Sequence, residues 1–145
     1  MENVKLSFDI KMSDAQCPLG VEIWLDDIVL LSKKPLQENL SFSYEIKDDD
    51  NGEHELRIVL QGKLPDHTKI DEQGNIISDS TLQISNVTID DLDINQLFLE
   101  KCVYEHNFND TQPVIQDTFH GIAGCNGTIS FKFSMPIYLW LLENM

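Results

Sequence analysis

The chain is dominated by short stretches in which hydrophobic and polar residues alternate, which is the period of a β-strand with one buried face. The clearest stretch follows an acidic turn that ends in Asn51-Gly52. Its predicted buried face consists of His54, Leu56, Ile58 and Leu60. Its predicted half-solvated face consists of Glu55, Arg57 and Val59. We therefore expect residues 53–60 to form a strand around which the other strands are arranged.

Alternation also covers residues 4–12, 21–31, 40–46, 82–94 and 128–133. Asp26-Asp27 interrupts the second stretch as a turn would, so residues 21–31 are predicted to be a tight hairpin. The phase of the alternation shifts between Ile84 and Val87, which indicates a bulge or a bent strand. Residues 62–80 form a long polar excursion, with a small hairpin expected around Gly74-Asn75.

The last third of the chain is less regular. Residues 95–101 have room for one helical turn, residues 102–108 for a strand, and residues 109–126 are predicted to be rich in loops. Asn126-Gly127 is a turn signal. The run from Ile137 to Leu142 is predicted to be a strand with apolar side chains on both faces, which needs a cover from a loop or from a second subunit.

These short strands, joined by turn dipeptides and almost without helical periodicity, predict an all-β fold. An antiparallel β-sandwich of jelly-roll type fits them best. A parallel α/β fold is disfavoured because no amphipathic helix lies between the strands. With 145 residues and neither repeats nor low-complexity linkers, we expect residues 1–145 to form a single domain.

The net charge of the chain argues against two classes of partner. The chain has 25 acidic residues against 10 basic ones, a formal net charge of -15. Such a surface repels phosphate backbones and anionic lipids, so neither nucleic acid nor a membrane is an expected partner. No classical secretory signal is expected, since residues 1–7 alternate like a strand. Cys17, Cys102 and Cys125 are few and odd in number, which favours free thiols in a reducing compartment.

Three stretches resemble strands of the calcium-dependent, xylan-binding type of carbohydrate-binding module: VEIWLDD at 21–27, GEHELRI at 52–58 and LQISNV at 82–87. The tail, with YEHNF at 104–108, GCNG at 124–127 and YLWLL at 138–142, looks more like uncharacterised β-sandwich proteins of tailed phages that infect marine cyanobacteria. The resemblance implies a sugar-binding or virion-associated module. It also implies that the protein resides in the virion or the host cytoplasm.

Sugar binding needs exposed aromatic rings beside amides and carboxylates, because the rings stack on the apolar face of the sugar and the polar groups fix its hydroxyls. Candidates of both kinds cluster between residues 104 and 125. The predicted glycan-binding residues are Tyr104, His106, Asn107, Asp117, Phe119 and His120. The alternative places Tyr104 and Phe119 in the core. Trp24 is expected to be a core residue.

Calcium is the expected metal, because it takes several oxygen ligands from flexible acidic loops. The candidate ligands are Asp48 and Asp50 in one turn and Asp91 and Asp93 in another. Solvated turn residues are the alternative for both clusters. A zinc site with Cys102 and His106 is less favoured than a buried thiol, because no Cys-x-x-Cys pair supports it.

No catalytic motif is present. The chain has no Gly-x-Ser-x-Gly elbow, no His-Glu-x-x-His and no phosphate-binding glycine loop. Asp117 and His120 lie three residues apart, a spacing that arises by chance in many chains. We therefore expect a protein that is not an enzyme. Two classes remain open: a binding module that holds a polysaccharide, and a structural or assembly protein that acts through protein contacts, including a homo-oligomer through Ile137 to Leu142.

Overall fold

A computed structural model describes residues 3–13, 19–34, 36, 38–47, 52–62, 69–78, 81–106, 113–124 and 126–144. The strands are β1 (Asn3–Met12), β2 (Gly20–Leu25), β3 (Ile28–Lys33), β4 (Leu40–Lys47), β5 (Glu53–Gln61), β6 (Lys69–Ile70), β7 (Ile76–Ser78), β8 (Leu82–Ile89), β9 (Leu92–Asp93), β10 (Val103–His106), β11 (Ile115–Thr118), β12 (Ile122–Ala123) and β13 (Gly127–Ser134). The helices are α1 (Asn95–Lys101) and α2 (Ile137–Asn144).

The strands form two main sheets that pack face to face. The five-stranded sheet has the order β12-β8-β1-β4, with β9 paired to β8, and the six-stranded sheet has the order β11-β10-β13-β5-β2-β3. Every recorded pair of strands in both sheets is antiparallel. The chain passes repeatedly from one sheet to the other, as in a jelly roll. The predicted antiparallel β-sandwich is confirmed.

The core lies between the sheets and is built from the alternating apolar positions. On β1, Val4, Leu6, Phe8 and Ile10 are buried, while the side chains between them face outward. Leu56, Ile58 and Leu60, predicted to face inward, are buried, and so are alternate positions of other strands: Phe42, Leu82, Ile84, Phe131 and Phe133. Alternation along each strand therefore predicts correctly which side chains face inward, because successive residues of a strand point to opposite faces.

The strand expected at the centre of the fold, β5, lies between two partners from Leu56 to Leu60. Glu53 pairs with Ser134 and Leu60 with Gly127 on one side, and Leu60 pairs with Val21 on the other. Alternate residues from Leu56 to Leu60 are buried. The alternation of this stretch is therefore that of a central strand with one face on the core.

Several local predictions are confirmed as well. β2 and β3 form the expected hairpin, and Asp26 in its turn has φ 55. The predicted irregularity on β8 is a bulge opposite β1, where Asn86 has φ 57. β6 and β7 form the small hairpin expected around Gly74, and α1 is the expected short helix.

The structure corrects two predictions in the last third of the chain. The run from Ile137 to Leu142 is not a strand but the first part of α2, whose Trp140 N–H donates to the Pro136 carbonyl at 3.2 Å. Residues 115–118, predicted to be loop, form β11, the outermost strand beside β10. No helix within the described ranges is long and apolar enough to cross a membrane.

Candidate functional site

A concave surface lies along the six-stranded sheet, where outward side chains of β5 and β13 meet the β2–β3 turn and α2. It consists of two adjoining hollows of about 550 and 510 Å³, which share Glu55, Arg57 and Lys132. We call the whole surface the outer groove. Its near end is lined by Asp26, Asp27, Glu53, His54, Phe133, Ser134 and Trp140. Its far end is lined by Lys101, Val103, Glu105, Gln116, Thr128 and Ser130.

Asp26 fixes the near end of the outer groove by joining the β2–β3 turn to β5. Its backbone N–H donates to the Glu55 carbonyl at 2.8 Å, and its Oδ1 accepts from the Glu55 N–H at 3.0 Å. Its Oδ2 lies 2.8 Å from Nδ1 of His54. Arg57 donates from an Nη to the Asp26 carbonyl at 2.6 Å. The turn is thus held at four points, so the side chains around it keep a defined arrangement.

These contacts determine the charge on Asp26. Burial raises the pKa of this carboxyl, but the hydrogen bonds from His54 and from the Glu55 N–H lower it by more. The positive charge of Arg57 acts in the same direction. The pKa of Asp26 therefore lies below its ordinary value, and the carboxylate is ionised at neutral pH.

The middle of the outer groove holds charges of both signs. Nε of Arg57 lies 3.3 Å from Oε1 of Glu55, and Nζ of Lys132 lies 3.9 Å from Oε2 of the same carboxylate. Arg57 also lies 3.7 Å from the fully exposed carboxylate of Asp27. Such a surface offers donors and acceptors side by side, which is what a ligand rich in hydroxyl groups requires.

Two tryptophans border this charged region. The Arg57 guanidinium lies over the ring of Trp24, 5.4 Å from its centroid. Trp24 alternates with buried Ile23 and Leu25 and faces outward, half-buried, so its assignment to the core was wrong. Trp140 reaches the near end from α2, and its ring meets Phe131 edge-on at a centroid distance of 5.6 Å. The two tryptophans therefore contact this region differently, Trp24 beneath Arg57 and Trp140 among the side chains that line the near end.

The predicted glycan-binding aromatics lie elsewhere. Tyr104 and Phe119 are buried and meet edge-on with centroids 6.0 Å apart, and the His106 ring lies 4.4 Å from that of Tyr104. These rings face the core because Tyr104 and His106 are the inward positions of β10, whose other two side chains are exposed. They offer no exposed face for a sugar to stack on, so the core alternative holds for them.

The remaining predicted glycan-binding residues are polar. Asp117 on β11 and His120 in the loop after it are both exposed. Neither lines the outer groove. Asn107 lies outside the described residues. The outer groove therefore brings together none of the five predicted residues that the structure describes.

The structure describes two of the four predicted calcium ligands. Asp48 and Asp50 lie outside the described residues. Asp91 and Asp93 are exposed, and Oδ1 of Asp93 accepts from the Asn95 N–H at 2.9 Å at the start of α1. Within the described part of the chain, no group of three or more His, Cys, Asp and Glu side chains is arranged to hold a metal ion. The position of a calcium site stays a prediction.

Cys102 behaves as a structural thiol. Its side chain is buried in the core, and burial raises the pKa of the thiol well above its ordinary value. A thiol that stays protonated is a poor metal ligand and a poor nucleophile. The buried-thiol alternative therefore accounts for Cys102 better than a zinc site does.

The side chains of the outer groove are ones that sequence reasoning passed over. Alternation had placed Arg57 and Glu55 on a half-solvated face, which is correct, but gave no sign of their partners. The partners Trp24 and Lys132 come from β2 and β13, which flank β5 only after folding. The available signal was the strand register, since Trp24 pairs with Arg57 and Lys132 with Glu55.

Comparison with known proteins identifies the kind of fold. No protein-family model matches the sequence, and no curated protein sequence matches it. Solved structures of calcium-dependent carbohydrate-binding modules are similar to it over most of its length. The sandwich described above is thus of the kind found in that class of protein.

The particular neighbour is the module vCBM60. Its selenomethionine form, described with a circular permutation that links two families of such modules, has a TM-score of 0.54 and 11% identity, covering 88% of this chain and 89% of that one. vCBM60 in complex with galactobiose has a TM-score of 0.53 and 11% identity, covering 88% of this chain and 96% of that one. At such low identity the similarity shows the fold alone.

Proposed function

We propose that this chain is a non-catalytic carbohydrate-binding module that holds a glycan across the outer groove. The observation that carries the proposal is the shared fold with vCBM60, a module solved with galactobiose bound, over 88% of this chain. A carbohydrate is therefore the proposed partner. Xylan, suggested by the sequence resemblance, and galactose-containing disaccharides, suggested by the neighbour, are the first ligands to test.

The chemistry of the outer groove supports this proposal. A sugar presents a weakly apolar ring face and a rim of hydroxyls, so it binds where an aromatic side chain lies beside charged donors and acceptors. We assign the ring face to Trp140 at the near end. The hydroxyls are assigned to Asp27, Glu55, Arg57 and Lys132, which lie beside it. Hydrogen bonds to charged groups are worth about 1.5–3 kcal/mol each, enough for specific but moderate affinity.

Calcium is part of the proposal. The vCBM60 neighbour belongs to a calcium-dependent class, and this chain carries a net charge of -15 with acidic turns. If calcium binds only the folded state, it stabilises that state by mass action. We expect millimolar calcium to raise the melting temperature more than sodium chloride of equal ionic strength does. Equal shifts in the two salts would reduce the effect to screening.

A glycan array, read with calcium and again with a chelator, identifies the ligand, and titration calorimetry then measures its affinity. The groove variant is Asp27→Ala/Lys132→Ala, because both side chains are highly exposed and their loss leaves the core intact. We expect it to weaken binding about tenfold or more, as the loss of one or two charged hydrogen bonds implies.

The matched control is Glu45→Ala/Lys11→Ala, which removes the same pair of charges from exposed positions on the five-stranded sheet. It is expected to bind like the parent protein. Equal affinity in the two variants would remove the outer groove from the proposal. The absence of any ligand on the array would remove carbohydrate binding.

One observation favours a second function, that of an assembly protein acting through protein contacts. α2 exposes Tyr138, Leu139 and Leu142 to solvent, and such apolar surface is typical of interaction sites. The residues around this apolar surface of α2 suggest which kind of partner would bind it.

A further inference from the structure

α2 has one buried face and one exposed apolar face. Ile137 and Leu141 are buried against the core. Tyr138, Leu139 and Leu142 are 49%, 54% and 79% exposed. Leu142 lies one helical turn after both Tyr138 and Leu139, so the three side chains form one continuous stripe. Three large apolar side chains on one exposed stripe are more than isolated surface residues, and the outer groove does not use them.

The surroundings of this stripe are acidic. The Tyr138 hydroxyl donates to Oδ2 of Asp90 at 2.9 Å, which places the β8–β9 turn, with Asp91 exposed, beside the helix. Glu143 is exposed on α2 itself, and the last turn of α2 has no basic residue.

A hollow of about 660 Å³ adjoins the C-terminal end of α2 at Asn144. Apolar side chains of α1, Leu97 and Leu99, contribute to its lining, and Asp93 and Glu100 contribute carboxylates. Asn144 lies on the side of α2 that carries buried Ile137 and Leu141, so this hollow is separate from the stripe. We call the stripe and the acidic side chains beside it, Asp91 and Glu143, the α2 surface. It combines apolar contact area with negative charge.

We propose that the α2 surface binds a basic amphipathic helix of a partner protein. The apolar side of such a helix would cover Leu139 and Leu142, and its Lys or Arg side chains would lie against Asp91 and Glu143. Charge complementarity of this kind steers association and selects the partner. Helix recognition of this type places apolar side chains at helical spacing in an apolar groove.

A second copy of the chain is a poorer occupant. A two-fold contact through α2 would bring the same acidic side chains of two subunits together, each subunit with a net charge of -15. α2 has only 8 residues, and its stripe is small beside the total of about 1,200 Å² that specific dimers bury. A partner with basic residues avoids the charge repulsion. The small area of the stripe is compatible with a weak, transient contact.

The test uses the full chain and a fluorescent synthetic peptide of about four helical turns, with Leu on one face and Lys on the other. Binding is measured by fluorescence anisotropy at physiological salt. Leu139→Ser/Leu142→Ser removes the stripe without changing net charge, and we expect it to weaken binding about tenfold or more. Ile28→Ser/Val114→Ser removes two other exposed apolar side chains, 65% and 61% exposed, and is expected to bind like the parent.

Three results overturn the proposal. The first is equal affinity in the stripe variant and the control, which reduces binding to the charge of the whole protein. The second is equally tight binding of a scrambled peptide that has the same Lys content but no apolar face. The third is a dimer, seen by light scattering of the full chain, that Leu139→Ser/Leu142→Ser dissociates. That result assigns the surface to a second copy instead.

Discussion

The outer faces of the two sheets differ in the length and the pairing of their side chains. On the five-stranded sheet the hydroxyls of Ser7 and Thr88 lie 2.6 Å apart, and Asn86 donates to Oδ2 of Asp9 at 2.8 Å. On the six-stranded sheet Arg57 reaches from β5 to the β2–β3 turn, and Lys132 reaches towards Glu55 from β13. Short side chains thus bond to their neighbours on one face, and long ones span strands on the other.

This difference explains why we propose a ligand site on the outer side of the six-stranded sheet. Around Ser7 and Asp9 the short side chains already use their hydrogen-bonding groups on one another. Long charged side chains stand apart and leave hollows, and Trp140 adds an aromatic wall to one of them. Both faces belong to antiparallel sheets over the same core, so the choice of side chains separates them, not the backbone.

The most damaging change we predict lies beneath the outer groove. Leu56 on β5 is fully buried, and Leu56→Ala should cost about 2–5 kcal/mol of unfolding free energy, as other large-to-small core changes do. Both outer faces should lose stability together because they share this core. Urea unfolding measures the effect, with exposed Glu53→Ala on the same strand as control. A loss below about half a kcal/mol would mean that the core under the groove tolerates a cavity.

A smaller loss of stability is expected from a change at the far end of the outer groove. A Cβ on Gly127 would collide with the Glu105 carbonyl and lie 2.9 Å from Cβ of His106, so Gly127→Ala should push β10 away from β13. We expect a cost of about 1–3 kcal/mol, typical of overpacking. A Cβ on Gly20 meets nothing closer than 3.5 Å, which makes Gly20→Ala the matched control.

Unfolding midpoints and amide hydrogen exchange in β10 check this prediction. Faster exchange confined to β10 and β11 would locate the damage at the far end of the groove. Equal stability of the two alanine variants would contradict it.

The smallest effect we predict is a loss of stability at acidic pH. Each outer face has one carboxyl with a lowered pKa, Asp26 on one and Asp9 on the other. The pKa of Asp26 is lowered as described above, and hydrogen bonds from Asn86 and Ser41 lower the pKa of Asp9. A carboxyl whose pKa falls on folding contributes stability above its unfolded pKa of about 4, and this stability is lost as the pH falls through its lower folded value. Solvent screens contacts at such exposed positions, so Asp26→Asn and Asp9→Asn should each cost at most about 1 kcal/mol at neutral pH.

Urea unfolding between neutral pH and about pH 3 checks this, since each Asn variant should lose less stability on acidification than the parent. If the two variants respond alike, each face contains one comparable acid-sensitive contact. A pH profile of Asp26→Asn that parallels that of the parent would show that the bond from His54 adds nothing to stability.

Much of the fold follows from local pattern. Alternation correctly predicts the long strands, the buried side chains of β5 and the bulge at Asn86, because a strand with one buried face imposes period two on its side chains. It failed for residues 137–142, where every position but Tyr138 and Trp140 is aliphatic. A short, continuous apolar run has no period, so a helix and a doubly buried strand look the same.

The candidate site was harder to predict because it is assembled from distant strands. Asp26, Arg57, Lys132 and Trp140 come from four elements, and only the order of the strands in the sheet brings them together. The aromatic residues that looked suitable for a sugar, Tyr104 and Phe119, lie at inward positions. Composition suggests which side chains a sugar would need, but topology decides which of them are exposed.

The pairing of β5 with β13 has a consequence for how the chain folds. Glu53 pairs with Ser134, so the centre of the six-stranded sheet is completed only when two distant parts of the chain meet. Closing such a long loop costs conformational entropy before the hydrogen bonds between β5 and β13 form. Chains dominated by distant pairings fold slowly, on a scale of milliseconds to seconds. Until β13 docks, β5 has one open edge with apolar side chains beside it, and in that interval the chain depends on its negative charge to keep copies apart.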